Sequence, residues 1–156
     1  MLHSALGPFR DSLDLLQEDW DRSFKTNVRG AWLVSRYVCL KMITFKHEGS
    51  IINISSIDGV GRALSHGAVA YSSSKSALIY MTKVMAMELG KHKIRVNAIC
   101  PGLFHSEITD GLFQKKWLEN VISKTVPLRD LGTIDPALTS LVRYIPDPWL
   151  VKLYDG

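Results

Sequence analysis

From Gln17 to Phe45, large apolar side chains return at three- and four-residue intervals: Trp20, Phe24, Val28, Trp32, Leu33, Tyr37 and Leu40. That spacing predicts one long amphipathic helix. Glu18, Asp19 and Asp21 near its start and Lys41 and Lys46 near its end suit the helix dipole. Gly30 interrupts the run at a cost of about 1 kcal/mol relative to alanine, which suits a close approach by another element. Asn27 is a poor helix former in mid-run with spare hydrogen-bonding capacity, and predicts a second task such as holding a water or bending the helix. The pattern then changes. After Gly49, the run Ser50–Ser55 is short, apolar and β-branched, the signature of a strand buried on both faces of a parallel sheet. Gly59, Gly61 and Gly67 punctuate a loop, and Tyr71–Leu89 predicts a second long helix closed by Gly90 as its C-cap. Lys93–Cys100 is the next strand, ended by Pro101–Gly102, and residues 106–125 and 135–144 are again helical in pattern.

Helix, strand, helix, strand, helix is an α/β rhythm, which implies a parallel sheet with right-handed crossovers. Only two convincing strands are present, and a parallel sheet needs more. With no internal repeat and no linker, the chain reads as an interior piece of a larger α/β domain.

Composition narrows the function classes. The 156 residues are 46% hydrophobic and 22% charged with a formal charge of +4, the profile of a soluble globular domain or part of one. The basic residues are scattered. Lys91–Arg95 and Lys115–Lys116 approach clusters without interleaved aromatics, so a nucleic-acid platform is not expected. The five histidines show no metal-ligand spacing, and Cys39 and Cys100 stand too far apart for a zinc or redox motif, so no metal is expected and a reducing compartment is. Neither a signal peptide nor an apolar run of the roughly 18 residues that a membrane span requires is readable, which predicts a cytoplasmic protein with no membrane partner.

Chemistry concentrates around Tyr71 and Lys75. Four residues apart on a helix, the two side chains share a face. A phenol is a poor proton donor at neutral pH, and a neighbouring ammonium favours its phenolate, so the pair can act as a tuned acid/base. The ordinary reading is an aromatic core residue beside a snorkelling lysine, and Tyr-x-x-x-Lys alone does not exclude it. Ser55–Ser56 adds context: these hydroxyls follow a strand at what is the carboxyl edge of a parallel sheet, where open α/β proteins bind ligands. Two other motifs carry less. Gly59–Leu64 imitates the start of a phosphate-binding glycine loop, but Leu64 stands in the third glycine's place and no helix opens immediately. Ser56, His66 and Asp58 could form a hydrolytic triad on residue type alone, without a nucleophile-elbow motif.

Four stretches in order, Thr26–Trp32 (TNVRGAW), Gly49–Gly59 (GSIINISSIDG), Ala70–Leu78 (AYSSSKSAL) and Ile94–Thr109 (IRVNAICPGLFHSEIT), make the chain resemble the short-chain dehydrogenase/reductase family. The wording after Pro101 looks most like plant 3-oxoacyl-acyl-carrier-protein reductase-like members. The resemblance implies the C-terminal half of a Rossmann-type doubly wound parallel sheet, in residues 1–144, followed by a divergent tail over 145–156. It implies that Tyr71 is the general acid/base, that Lys75 tunes it and binds the nicotinamide ribose, that Ser56 polarises the substrate carbonyl, and that Asn27 keeps a proton-relay water. Ser56 rather than Ser55 matches, because two residues and a glycine follow it. Pro101, Gly102, Phe104 and Ser106 match the loop at the nicotinamide end.

The implied reaction is reduction of a ketone or 3-oxoacyl group by NADH or NADPH. The implied partners are a small carbonyl or acyl substrate and further copies or relatives of the chain, assembled through helices 17–45 and 71–89. Other parts of the family pattern are missing: the glycine-rich turn, the ribose-binding acid or phosphate-binding arginine, and the Asn-Asn-Ala-Gly segment. The N-terminal dinucleotide-binding half is thus missing, and the choice between NAD and NADP goes with it. A second expectation follows: a chain without catalysis of its own that associates with full-length relatives through its long helices.

Overall fold

The structure, a computed structural model, describes residues 9–61 and 66–103. The helices expected over 106–125 and 135–144, the tail 145–156, Phe104 and Ser106 lie outside the described residues. The chain divides into two compact units, Met1–Pro101 and Gly102–Gly156, and every element below belongs to the first.

The long helix of the first apolar run forms as three consecutive stretches: α1 (Gln17–Phe24), a π-helical segment (Lys25–Gly30) and α2 (Ala31–Thr44). The joins keep helical dihedrals, with Lys25 at φ −58°, ψ −43° and Ala31 at φ −61°, ψ −43°. The run therefore widens around Asn27 without breaking. Such π-helical turns recur at functional sites.

The buried face is not the one the apolar spacing predicts. Asp19, Ser23, Asn27, Ser35 and Cys39 are buried, whereas Trp20, Trp32, Tyr37 and Leu40 are exposed. Those of α1 and the π-helical segment are polar and let this part of the run approach α3 (Val69–Leu89) closely. Their polar atoms find partners: Ser23 Oγ donates to the Asp19 carbonyl at 3.0 Å, and Arg22 pairs with the Asp19 carboxylate. Outside, Trp20 stacks on Phe24 with ring centroids 4.8 Å apart. Gly30 is not a site of close approach, since a Cβ there would meet nothing nearer than the Lys25 carbonyl oxygen at 3.5 Å.

Strands β1 (Gly49–Ile54) and β2 (Ile94–Ile99) pair in parallel, from Gly49 opposite Ile94 to Ile54 opposite Ile99. Ile94, Val96 and Ile99 of β2 are buried and join Leu78 and Met85 of α3 in the core. β1 departs from the expectation of burial on both faces: only Asn53 is buried, and Ile54 is 47% exposed. β2 is its one strand neighbour among the described residues. Asn53 also ties the strand to α3, its Nδ2 donating to Thr82 Oγ1 at 2.9 Å.

The second helix begins two residues before Tyr71 and buries Ala70, Ser74, Lys75, Leu78, Thr82 and Met85 along one side. Gly90 caps it, but in a right-handed conformation at φ −56° that leads into a 3₁₀ turn, Gly90–His92. The left-handed residue is Lys93, at φ 55°, held by its N–H donating to the Gly90 carbonyl at 2.9 Å. No helix among the described residues is long and apolar enough to cross a membrane.

Candidate active site

The carboxyl end of β1 delivers two serines to different tasks. The ladder continues past the strand, with Ser55 N–H donating to the Ile99 carbonyl at 2.7 Å and Ile57 N–H to the Pro101 carbonyl at 3.1 Å. Pro101 is thereby drawn alongside the loop that carries Ser56. Ser55 Oγ donates to the main-chain carbonyl of Lys75 at 2.9 Å. Ser56, extended at φ −162°, accepts the Asp58 N–H on its Oγ at 3.2 Å and opens a 3₁₀ turn, Ile57–Val60. A hydroxyl that accepts in this way still has its proton to donate.

The 3₁₀ turn lies directly on α3. A Cβ added at Gly59 would stand 2.8 Å from the Lys75 carbonyl carbon, so only glycine fits there without displacement. Ser76 Oγ donates to the Gly59 carbonyl at 2.8 Å and closes the contact. The backbone of Lys75 is thus gripped by Ser55 on one side and by Gly59 on the other.

Lys75 is 2% exposed, with its Nζ donating to the Ile54 carbonyl at 2.9 Å. The same ammonium lies 5.6 Å from the centroid of the half-buried Tyr71 ring. Burial lowers the Lys75 pKa from 10.5 to about 8, a change opposed by interaction with Cys100. The ammonium is therefore buried, attached to the end of β1 and set beside the phenol. This arrangement goes beyond a snorkelling lysine, whose charged head stays in water.

Asn27 reaches the same turn of α3 from the π-helical segment. It is 4% exposed, and its Nδ2 donates to Ser74 Oγ at 2.9 Å, while Ser74 Oγ donates to the Tyr71 carbonyl at 2.7 Å. Tyr71 is thereby tied to Asn27 through Ser74 and faces Lys75, which hangs from the residue before the Ser55–Ser56 pair. Gly102 is exposed and opens the second unit. His66 Nε2 pairs with Asp11 Oδ1 at 2.7 Å, a carboxylate other than the Asp58 of the triad alternative.

Three participants escaped the sequence reading: Ser74, the main-chain grip of Ser55, and Cys100. Ser74 was legible in principle. It lies on the Ala70–Ser74–Leu78 line of α3, and a serine on a core-facing line must find hydrogen-bond partners. Cys100 had no such signal. Burial pushes its thiol pKa up, while the Ser55 hydroxyl, the Ser56 N–H and the Lys75 ammonium each pull it back.

Known proteins share this arrangement of elements. The family model described as enoyl-(acyl carrier protein) reductase matches residues 3–142. Carbonyl reductase [NADPH] 2 of Sus scrofa is 34% identical over 145 residues, which are 93% of this chain and 59% of that protein. (3R)-3-hydroxyacyl-CoA dehydrogenase of Rattus norvegicus is 36% identical over 131 residues, 83% of this chain and 49% of that protein. Among solved structures, a 4-hydroxyisoleucine dehydrogenase mutant complexed with NADH and succinate superposes with a TM-score of 0.85 at 31% identity, covering 94% of this chain and 59% of that one. The chain thus spans roughly half to three fifths of the length of these two relatives. With its parallel α/β core, its matched family model and relatives above 30% identity, the chain belongs to the short-chain dehydrogenase/reductase family.

Proposed function

We propose that this chain contributes the proton-donating, nicotinamide-facing part of an NAD(P)H-dependent carbonyl reductase acting on a ketone or 3-oxoacyl group. The observation that carries the reading is Lys75: a buried ammonium fixed at the end of β1, 5.6 Å from the Tyr71 ring centroid. The residues fit the nicotinamide ribose. An ammonium has three donors, one of which goes to the Ile54 carbonyl, and the others suit a diol. When bound, the reduced nicotinamide supplies the hydride for the carbonyl carbon.

The remaining work falls to the chain's own side chains. Ser56, with its Oγ oriented by the Asp58 N–H, donates its proton toward the substrate carbonyl oxygen. Tyr71 Oη gives its proton to that oxygen as the alkoxide develops, and the Lys75 ammonium stabilises the phenolate left behind. Pro101 lies beside the Ser56 loop, and from the family resemblance alone we assign Gly102, Phe104 and Ser106 as further nicotinamide contacts. Asn27 acts on the Tyr71 turn from behind. NADPH and NADH are both candidates, as the names of the matched carbonyl reductase and dehydrogenase complex suggest. Assembly through the long helices is supported by their outward apolar residues, Trp32, Tyr37 and Leu40 on α2 and Tyr80 and Met87 on α3.

The test is nicotinamide oxidation by the purified chain with a 3-oxoacyl thioester, comparing wild type with Tyr71→Phe. Loss of the proton donor should lower turnover by about 10²–10⁴-fold. A Tyr71→Phe chain that turns over at the wild-type rate sinks the assignment.

A further inference from the structure

Ser74 is fully buried, at 0% exposure, three residues after Tyr71 and immediately before Lys75. Its hydroxyl serves two partners at once. The Asn27 amide nitrogen can only donate, so Ser74 Oγ accepts from it at 2.9 Å and turns its own proton to the Tyr71 carbonyl at 2.7 Å. The amide, hydroxyl and carbonyl form a directed chain whose first link joins Asn27 to Ser74, 47 positions apart in sequence. At one end is the π-helical segment Lys25–Gly30, in which Asn27 is the buried residue. At the other is the turn of α3 that bears the phenol.

We infer that Ser74 is a positioning residue that transmits the placement of the π-helical segment to Tyr71, setting the phenol relative to Lys75 and Ser56. The inference rests on the reading of Tyr71 as proton donor and extends it to a residue that touches neither substrate nor cofactor. Lys75 is gripped independently, by Ser55 and by the close approach of Gly59. Tyr71 has the Ser74 relay in the corresponding place. Removing the hydroxyl takes one partner from the buried Asn27 amide and one from the Tyr71 carbonyl. Both losses fall on the same turn.

Thr82 supplies a matched control. It is buried on the same helix, accepts from Asn53 Nδ2 at 2.9 Å and donates to the Leu78 carbonyl at 2.8 Å, but about three turns away from Tyr71. The experiment uses the full 156-residue chain labelled with ring-¹³C tyrosine, with the Tyr71 signal assigned by its loss in Tyr71→Phe. Ser74→Ala should displace the Tyr71 ring signal, Asn27→Ala should displace it in the same direction, and the double variant should move it no further than the larger single. Thr82→Ala should lower the melting midpoint and leave the Tyr71 signal in place. If Ser74→Ala does not fold, Ser74→Cys, nearly isosteric with a weaker donor, carries the same readout. An unmoved Tyr71 signal in Ser74→Ala or Ser74→Cys, or an equal displacement in Thr82→Ala, overturns the relay. Turnover of Tyr71→Phe is a separate measurement: full activity there removes the proton-donor reading, whereas the ring signal alone decides whether Ser74 positions the phenol.

Discussion

The Lys75 ammonium stands 2.9 Å from the carbonyl oxygen of Ile54, the last residue of β1. One main-chain acceptor fixes the cation but does not replace the water it has lost. The pKa of about 8 records the deficit. Anything that brings further acceptors to this point, a ribose diol included, relieves it.

A pH dependence of stability follows. In the unfolded chain Lys75 titrates near 10.5, and in the folded chain near 8. Below both values each state binds the proton, and folding carries the full penalty of the buried charge, on the order of 3 kcal/mol. Between them the unfolded state binds more protons, so this group makes stability rise with pH across that window and level off above it. Chemical denaturation at pH 7 and near pH 10 should show a rising midpoint, and Lys75→Met should flatten the rise. Equal slopes in the two proteins would rule out Lys75 as the source.

The long first helix shows what a sequence period contains and what it omits. Trp20, Phe24 and Val28 share their spacing with Asp19, Ser23 and Asn27, one position earlier. Hydrophobicity selects the first set; packing against α3 selects the second. The difference lies in partners that spacing cannot reveal: Ser74 for Asn27, the Asp19 carbonyl for Ser23, Arg22 for Asp19. Asn27 itself was legible as a misfit, because a helix interior disfavours it unless its amide is used elsewhere. The strands were legible to within one residue because β-branched runs between glycines and loop residues have few other uses. How far β1 would be covered was not, because cover depends on which strand, if any, lies along its other edge. That Tyr71 and Lys75 share a helix face was legible from their spacing, but that the ammonium is buried rather than snorkelling was not. The grip on Lys75 was not, because it uses main-chain atoms that carry no sequence signal.

Gly59 and Gly61 are both in the Ile57–Gly61 region, yet they should respond differently to alanine. At Gly59 the new Cβ meets the Lys75 carbonyl carbon at 2.8 Å and its oxygen at 3.0 Å, backbone atoms that cannot rotate away. Gly59→Ala should cost about 1–3 kcal/mol, as overpacking does. It should also disturb Lys75, so a measured loss of stability should come with a loss of turnover. At Gly61 the Cβ has open space, and the obstacle is the left-handed φ of 70°. Gly61→Ala should cost about 1–2 kcal/mol and spare the site. Denaturation midpoints with parallel rate measurements distinguish the two, and a Gly61→Ala chain that loses activity while Gly59→Ala keeps it would reverse the assignment.

Cys100 offers a chemical probe of the Lys75 charge. Burial raises its thiol pKa and the Lys75 ammonium pulls it back. Alkylation requires the thiolate, so its rate follows the thiolate fraction. At pH 7 wild-type Lys75 is charged, being below its own pKa of about 8. Lys75→Met should therefore slow iodoacetamide labelling of Cys100 measured by peptide mass spectrometry. Cys39 serves as the internal reference, since it is 3% exposed, is raised by burial alone and takes nothing from Lys75. It should label more slowly than the half-buried Cys100 in both proteins, by a rate that Lys75→Met leaves unchanged. Acceleration at both cysteines would report loosening of the fold. Slowing at Cys100 alone would place the ammonium's field at the residue that follows β2.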